Sequence, residues 1–205
     1  MKLKDDPINS KRNLLFFYPS LEIGGLTKNL FSLINSLSQK NYNIIFLTYD
    51  NISENKVGSK LYSFNDKIKV VTPKIKIKTN SRYVKYIFCF FLLFKYLYRN
   101  DSLLISFQSN VLAILASKIT NSKIVIRCNT APSKYITNSL KKFFFKIIYS
   151  QSDKILVTSR DFRIEMKKYF NLKSQIHRQS LDLEGIKIKS KKKINFKFFK
   201  DYKGL

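Results

Sequence analysis

Residues 14–50, LLFFYPSLEIGGLTKNLFSLINSLSQKNYNIIFLTYD, carry the reading that decides the fold. The apolar run Leu14–Tyr18 stops at Pro19 and gives way to a short loop holding Gly24 and Gly25. From Leu26 onward the apolar residues recur at helical spacing, and a second apolar run, Ile44–Thr48, follows. Strand, glycine loop, helix and strand make a βαβ unit with its loop at the carboxyl end of the first strand. In open α/β sheets that edge is where ligands bind. Adjacent glycines admit an anion close to backbone N–H groups, and the helix N-terminus adds a favourable dipole. Gly24 and Gly25 are therefore candidate phosphate- or sugar-binding residues, with a plain tight turn as the competing reading.

The same alternation continues outward. Ile68–Thr72, Leu103–Phe107, Lys123–Cys128 and Lys154–Thr158 read as strands. Arg82–Arg99, Asn110–Lys118, Asn138–Tyr149 and a segment from Ser159 to about Phe170 read as helices, with Ser109 or Asn110 and Ser159 as caps. This pattern predicts an α/β fold with a Rossmann-like, doubly wound, mainly parallel sheet. The expected organisation is a polar arm over residues 1–12, one Rossmann-like domain over 13–174, and a connector with a lysine-rich tail over 175–205. A polar loop is expected over Asn51–Asp66.

The 205 residues suffice for one domain with a substantial core. With 44% hydrophobic and 15% aromatic residues, the composition is that of a folding chain. The formal charge of +26 invites a polyanion as partner. Lysine dominates over arginine, however, and is spread along the chain beside abundant Asn, Ile, Phe and Tyr. That pattern fits an AT-rich codon bias, and arginine, the better reader of bases, is scarce. Nucleic acid is the disfavoured partner class. Cys89 and Cys128 form no CxxC pair, and His177 is the only histidine, which excludes a multi-histidine metal site. His177 reads as a surface residue near a domain exit. No apolar stretch has membrane-spanning length; the most apolar, Tyr86–Phe94, is flanked by Lys85 and Lys95. The helix Arg82–Arg99 is apolar nearly all round. It reads as packed against the sheet or, alternatively, as dipping into a membrane interface with its lysines on anionic headgroups. The tail carries the same ambiguity.

Four segments in order, FFYPSLEIGGLTKNLFSLINSLSQKNYNIIFLT, LLISFQSNVLAILAS, KIVIRCNTAPSKY and SDKILVTSRDFRIEM, give the chain its likeness. Together they resemble the N-terminal domain of glycosyltransferase family 4, a GT-B enzyme family. The resemblance implies one GT-B half that binds the acceptor, a sugar or lipid-linked glycan, and presents a glycine loop to the donor phosphates. The nucleotide-sugar donor would be a substrate, held mainly by a second domain, and the resemblance leaves the chain as a fragment, the product of an interrupted gene or half of a split enzyme. No other cofactor and no metal is implied. A bacterial protein of polysaccharide synthesis, cytoplasmic and at the inner face of the membrane, is the matching setting, and the 205 residues alone are expected to lack transferase activity. Arg127 and Asn129 match a polar loop of the family and are candidate ligands for acceptor or phosphate oxygens, with a structural ion pair as the alternative for Arg127. Gln108 and Ser109 stand at another strand end, with helix capping as the competing reading. Glu22 is read as a loop carboxylate. The chain departs from the family at Thr27, where an acidic residue is common, and at Gln179-Ser180-Leu181-Asp182. No catalytic base is evident.

Overall fold

A computed structural model of the chain describes residues 12–22, 24–40, 42–50, 67–74, 77, 79 and 81–177. The expected polar arm up to residue 11, the loop 51–66 and the tail 178–205 lie outside the described residues.

The central element is a seven-stranded sheet in the order β3-β2-β1-β4-β5-β6-β7, with every pairing parallel. Its strands are β1 (Arg12–Phe17), β2 (Tyr42–Leu47), β3 (Ile68–Val71), β4 (Leu103–Ser106), β5 (Ile124–Arg127), β6 (Lys154–Val157) and β7 (Gln175–Ile176). The helices are α1 (Gly25–Ser38), α2 (Arg82–Arg99), α3 (Asn110–Ile119), α4 (Ser139–Ser150) and α5 (Arg160–Phe170). A 3-10 turn, Pro132–Lys134, precedes α4. The doubly wound, Rossmann-like sheet is thus present as expected.

Alternation along the strands explains the two-sided core. Leu14 and Phe16 of β1 point to one face, where they meet Leu30, Phe31 and Ile34 of α1 and Ile44 and Phe46 of β2. Leu15 and Phe17 point to the other. They join a larger core with Cys89, Leu93 and Leu97 of α2, Ala113 and Ile114 of α3, and Met166 and Phe170 of α5. Parallel strands buried on both faces need continuous apolar runs, which β1 and β2 supply.

Helix ends follow local chemistry. The Asn138 side chain caps α4 by accepting from Lys141 N at 2.8 Å. Ser159 Oγ, as expected, caps α5 by accepting from Phe162 N at 3.2 Å. Asn171 ends α5 with φ 57°, the left-handed conformation that asparagine tolerates. The chain then returns to the sheet as β7, where Gln175 pairs with Leu156 and Ile176 with Val157. This edge strand stands at the start of what reads from sequence as a connector.

Candidate functional site

In the strand order, β1 is flanked by β2 on one side and β4 on the other, so the winding reverses between β1 and β4. The carboxyl ends of β1, β4 and β5 meet at this switch point, where an open α/β sheet leaves a crevice. The Tyr18–Gly25 segment leaves β1 there and is held from below. Thr27, buried in the first turn of α1, donates its hydroxyl to Glu22 O at 2.6 Å and lies 3.2 Å from the Tyr18 hydroxyl. The residue that departs from the family pattern therefore ties the glycine loop to its own strand.

Gly24 and Gly25 are exposed at the amino end of α1, and the helix has no side-chain cap. A Cβ added at either glycine meets nothing within 4 Å. Gly24 is extended, with φ 171° and ψ 174°, so neither crowding nor a left-handed turn demands glycine here. What the two glycines leave is open space over the first-turn amides of a 14-residue helix.

Gln108 bridges two strand ends. Its Oε1 accepts from Ser20 N at 2.9 Å and its Nε2 donates to Glu22 Oε1 at 3.3 Å. The side chain thus locks the β1 loop to the β4 end rather than capping α3. Ser109 stands before α3 with φ 56° and makes no side-chain cap bond, so capping explains neither residue. Asn129, exposed after β5, donates to Phe107 O at 2.7 Å. Asn110 donates to Arg127 O at 3.0 Å and accepts from Ser106 Oγ at 2.8 Å. The ends of β4 and β5 are stitched together by these amides.

Arg127 is the outlier of the set. It is 2% exposed, and its Nε and Nη2 have no hydrogen-bond partner among the described residues. Its guanidinium lies 5.1 Å from the centre of the Phe107 ring. No structural ion pair to Arg127 occurs among the described residues. Burial lowers its pKa, but arginine remains charged at neutral pH. A buried cation with unmet donors is costly, and an anionic ligand is one way to satisfy it. Beside it, burial pushes the Cys128 thiol up to about 12, so Cys128 is no thiolate nucleophile at neutral pH.

Sequence reading did not single out Asp50. Its Oδ2 accepts from Leu21 N at 2.7 Å, and its Oδ1 meets Lys85 Nζ at 2.7 Å in a largely buried ion pair. Glu22 is more than a solvated loop carboxylate, because Arg82 lies 3.1 Å from its Oε2. The Arg82–Glu22 pair ties the start of α2 to the loop after β1, and the Lys85–Asp50 pair ties it to the end of β2, which Asp50 in turn joins to Leu21. Only the position of Asp50 at a strand's carboxyl end signals its role in advance. His177 is half-buried and follows β7.

No cluster of three potential metal ligands occurs among the described residues. Two grooves lie elsewhere. One, of about 870 Å³, runs beside α5 and the amino end of β6, past Lys154, Ile164, Lys167 and Leu172. The other, of about 790 Å³, lies between β3 and α2. Neither coincides with the switch point.

No family model and no curated protein sequence matches the chain. Its fold does match solved structures. Against HepE of Anabaena in complex with UDP and glucose the TM-score is 0.55 at 12% identity, covering 84% of this chain and 46% of that one. Against a glycosyltransferase from Rickettsia africae it is 0.60 at 15% identity, covering 86% and 45%. The chain therefore spans less than half the length of these proteins. In fold, the described domain corresponds to one part of a GT-B-like glycosyltransferase.

Proposed function

We propose that this chain is the acceptor-side half of a glycosyltransferase that moves a sugar from a nucleotide-sugar donor to a polysaccharide or lipid-linked glycan acceptor. The observation that carries the reading is the pairing of two unmet donor sets at one switch point. These are the open first-turn amides of α1 behind Gly24 and Gly25, and the buried guanidinium of Arg127, whose Nε and Nη2 have no hydrogen-bond partner among the described residues. Sugar transfer from a nucleotide diphosphate needs oriented positive charge where the leaving group develops its own charge. It also needs the acceptor hydroxyl held in line, which is a positioning task. Gln108 and Asn129 hold the loops that frame these donors. A second domain would close the cleft and hold most of the donor.

Equilibrium binding of UDP-glucose to the full chain tests this, with Arg127→Met and Gly25→Ala as variants. We expect weak binding by the wild type and a loss of roughly tenfold in Arg127→Met, the scale of one charge-assisted contact. Gly25→Ala is expected to raise stability by about 0.4–1 kcal/mol, because its Cβ has room and alanine is the better helix former, while weakening binding. Binding unaffected by either substitution contradicts the assignment.

A further inference from the structure

The groove beside α5 gathers charge of one sign. Helical spacing places Arg163, Ile164, Lys167 and Lys168 on the flank of α5 away from its buried stripe, Phe162, Met166 and Phe170. Asn171 turns the chain in the left-handed conformation, and Leu172–Gln175 returns toward the sheet along the same groove. Lys154, at the amino end of β6, lines it from the sheet. Among the described residues the cavity, of about 870 Å³, is lined by five cations, Lys154, Arg163, Lys167, Lys168 and Lys173, and by one carboxylate, Asp153.

Folding accounts for little of this charge. Asp153 Oδ2 is already engaged, accepting from Ile124 N at 2.7 Å. No ion pair to any of the five cations occurs among the described residues. The helix dipole explains Lys167 and Lys168 in the last turn of α5, and Lys168 also helps to hold down the Glu165 carboxyl. Neither reason extends to Lys154, Arg163 or Lys173. Two further features belong to the same groove. Its lining includes apolar side chains, with Ile155 buried, Leu172 half-buried and Ile164 58% exposed. Ser174 lines it too, and its Oγ is buried with no hydrogen-bond partner among the described residues. A buried hydroxyl left unmet is costly, and a ligand oxygen is one way to satisfy it.

We propose that this groove is a second ligand site that takes a nucleoside polyphosphate, with the phosphates among the five cations and the nucleoside against Ile155, Ile164 and Leu172. A phosphate chain concentrates several negative charges within a few ångströms, and lysine meets such charge as a mobile point donor. The cavity is of the size of small-ligand sites, roughly 300–1,000 Å³. An acidic peptide instead spreads its charges along the chain, at about 3.3 Å per residue, and needs an extended track rather than one concave site. In a parallel sheet the amino end of β6 lies opposite the carboxyl ends of β1, β4 and β5, so the groove and the switch-point crevice occupy opposite ends of the sheet. The groove shares no residue with the site of the transferase reading, so the two stand or fall independently.

Isothermal titration calorimetry of the full chain with ATP as the probe tests this, beside inorganic triphosphate and hexaglutamate. ATP is expected to bind, triphosphate to bind several-fold more weakly for want of an apolar body, and hexaglutamate more weakly still. Arg163→Gln with Lys167→Gln is expected to weaken ATP binding roughly tenfold or more, and Lys141→Gln with Lys146→Gln on α4, of equal charge change, less than about twofold. All four side chains are exposed, so both variants are expected to melt as the wild type does. Ile164→Ser is expected to weaken ATP binding several-fold and to leave triphosphate binding unchanged. Ser174→Ala is expected to weaken ATP binding without lowering the melting temperature of the free chain, since it removes an unmet hydroxyl. Equal losses in the two charge-removing pairs mark a general response to a polycation and overturn the proposal. Triphosphate or hexaglutamate binding as tightly as ATP overturns it as well, and so does a wild-type chain that binds no ATP.

Discussion

Two helices of similar inner chemistry, α1 and α2, pack on opposite faces of the sheet and end with opposite outer surfaces. Each buries a stripe of apolar side chains, Leu30, Phe31 and Ile34 on α1 and Cys89, Leu93 and Leu97 on α2. Outside, α1 shows Ser32 and Ser36, whereas α2 shows Tyr83, Ile87, Phe91 and Tyr98. Folding accounts for the inner stripes of both helices. It does not account for the outer stripe of α2, because those side chains remove little apolar area from water in this chain. The lesson is that an apolar helix need not owe its whole composition to the core.

The sharpest way to break this comparison is a pair of substitutions on α2 itself. Leu93→Ala and, on α1, Ile34→Ala are each expected to cost about 2–5 kcal/mol in urea unfolding. Phe91→Ala is expected to cost less than about 1 kcal/mol, since its ring is largely in solvent. If Phe91→Ala is as costly as Leu93→Ala, the outer stripe belongs to the core and the contrast disappears.

A smaller effect separates the two ion pairs that join α2 to the loops after β1 and β2. Lys85→Met leaves Asp50 with only its bond to Leu21 N, and is expected to cost about 2–3 kcal/mol. Arg82→Met breaks a pair whose side chains are 60% and 41% exposed, and is expected to cost under about 1 kcal/mol. Thermal melts of the two variants order them.

The regular alternation of strand and helix was legible in the sequence because its periodicity is long and apolar. The bounds of α2 were read as Arg82–Arg99 and are so. The two-residue strand β7 was not, since two residues carry no periodicity. The apolar circumference of α2 pointed to either burial or a membrane interface, and composition cannot say which face meets the sheet. At the site, Gly24 and Gly25 were legible from their place between strand and helix. The bridging role of Gln108 and the ion pair of Asp50 were not, because their partners lie 88 and 35 residues away along the chain. The hydroxyl of Ser109 looked like a cap, but a left-handed φ removes it from that geometry.

The smallest expected effect concerns the helix layer's one carboxylate held by backbone. The Ser133 N–H donates to Glu165 at 3.0 Å and holds its carboxyl below the ordinary range, with Lys168 and Lys134 adding to the shift. A carboxyl whose folded pKa is depressed contributes stability above its unfolded pKa of about 4.3 and loses it as pH falls through the folded value. Glu165→Gln is therefore expected to be slightly less stable than wild type near neutrality and to converge with it in acid, as read by urea melts across that range.

The central claim, that the carboxyl ends of β1, β4 and β5 form one wall of a phosphate- and sugar-binding cleft, is tested most directly by amide-resolved NMR of the full chain titrated with UDP-glucose. The account predicts shifts concentrated at Gly24, Gly25 and Leu26 and at the Arg127 side-chain Nε. Shifts confined to the groove lined by Lys154 and Lys167, or absent at saturating ligand, would contradict it.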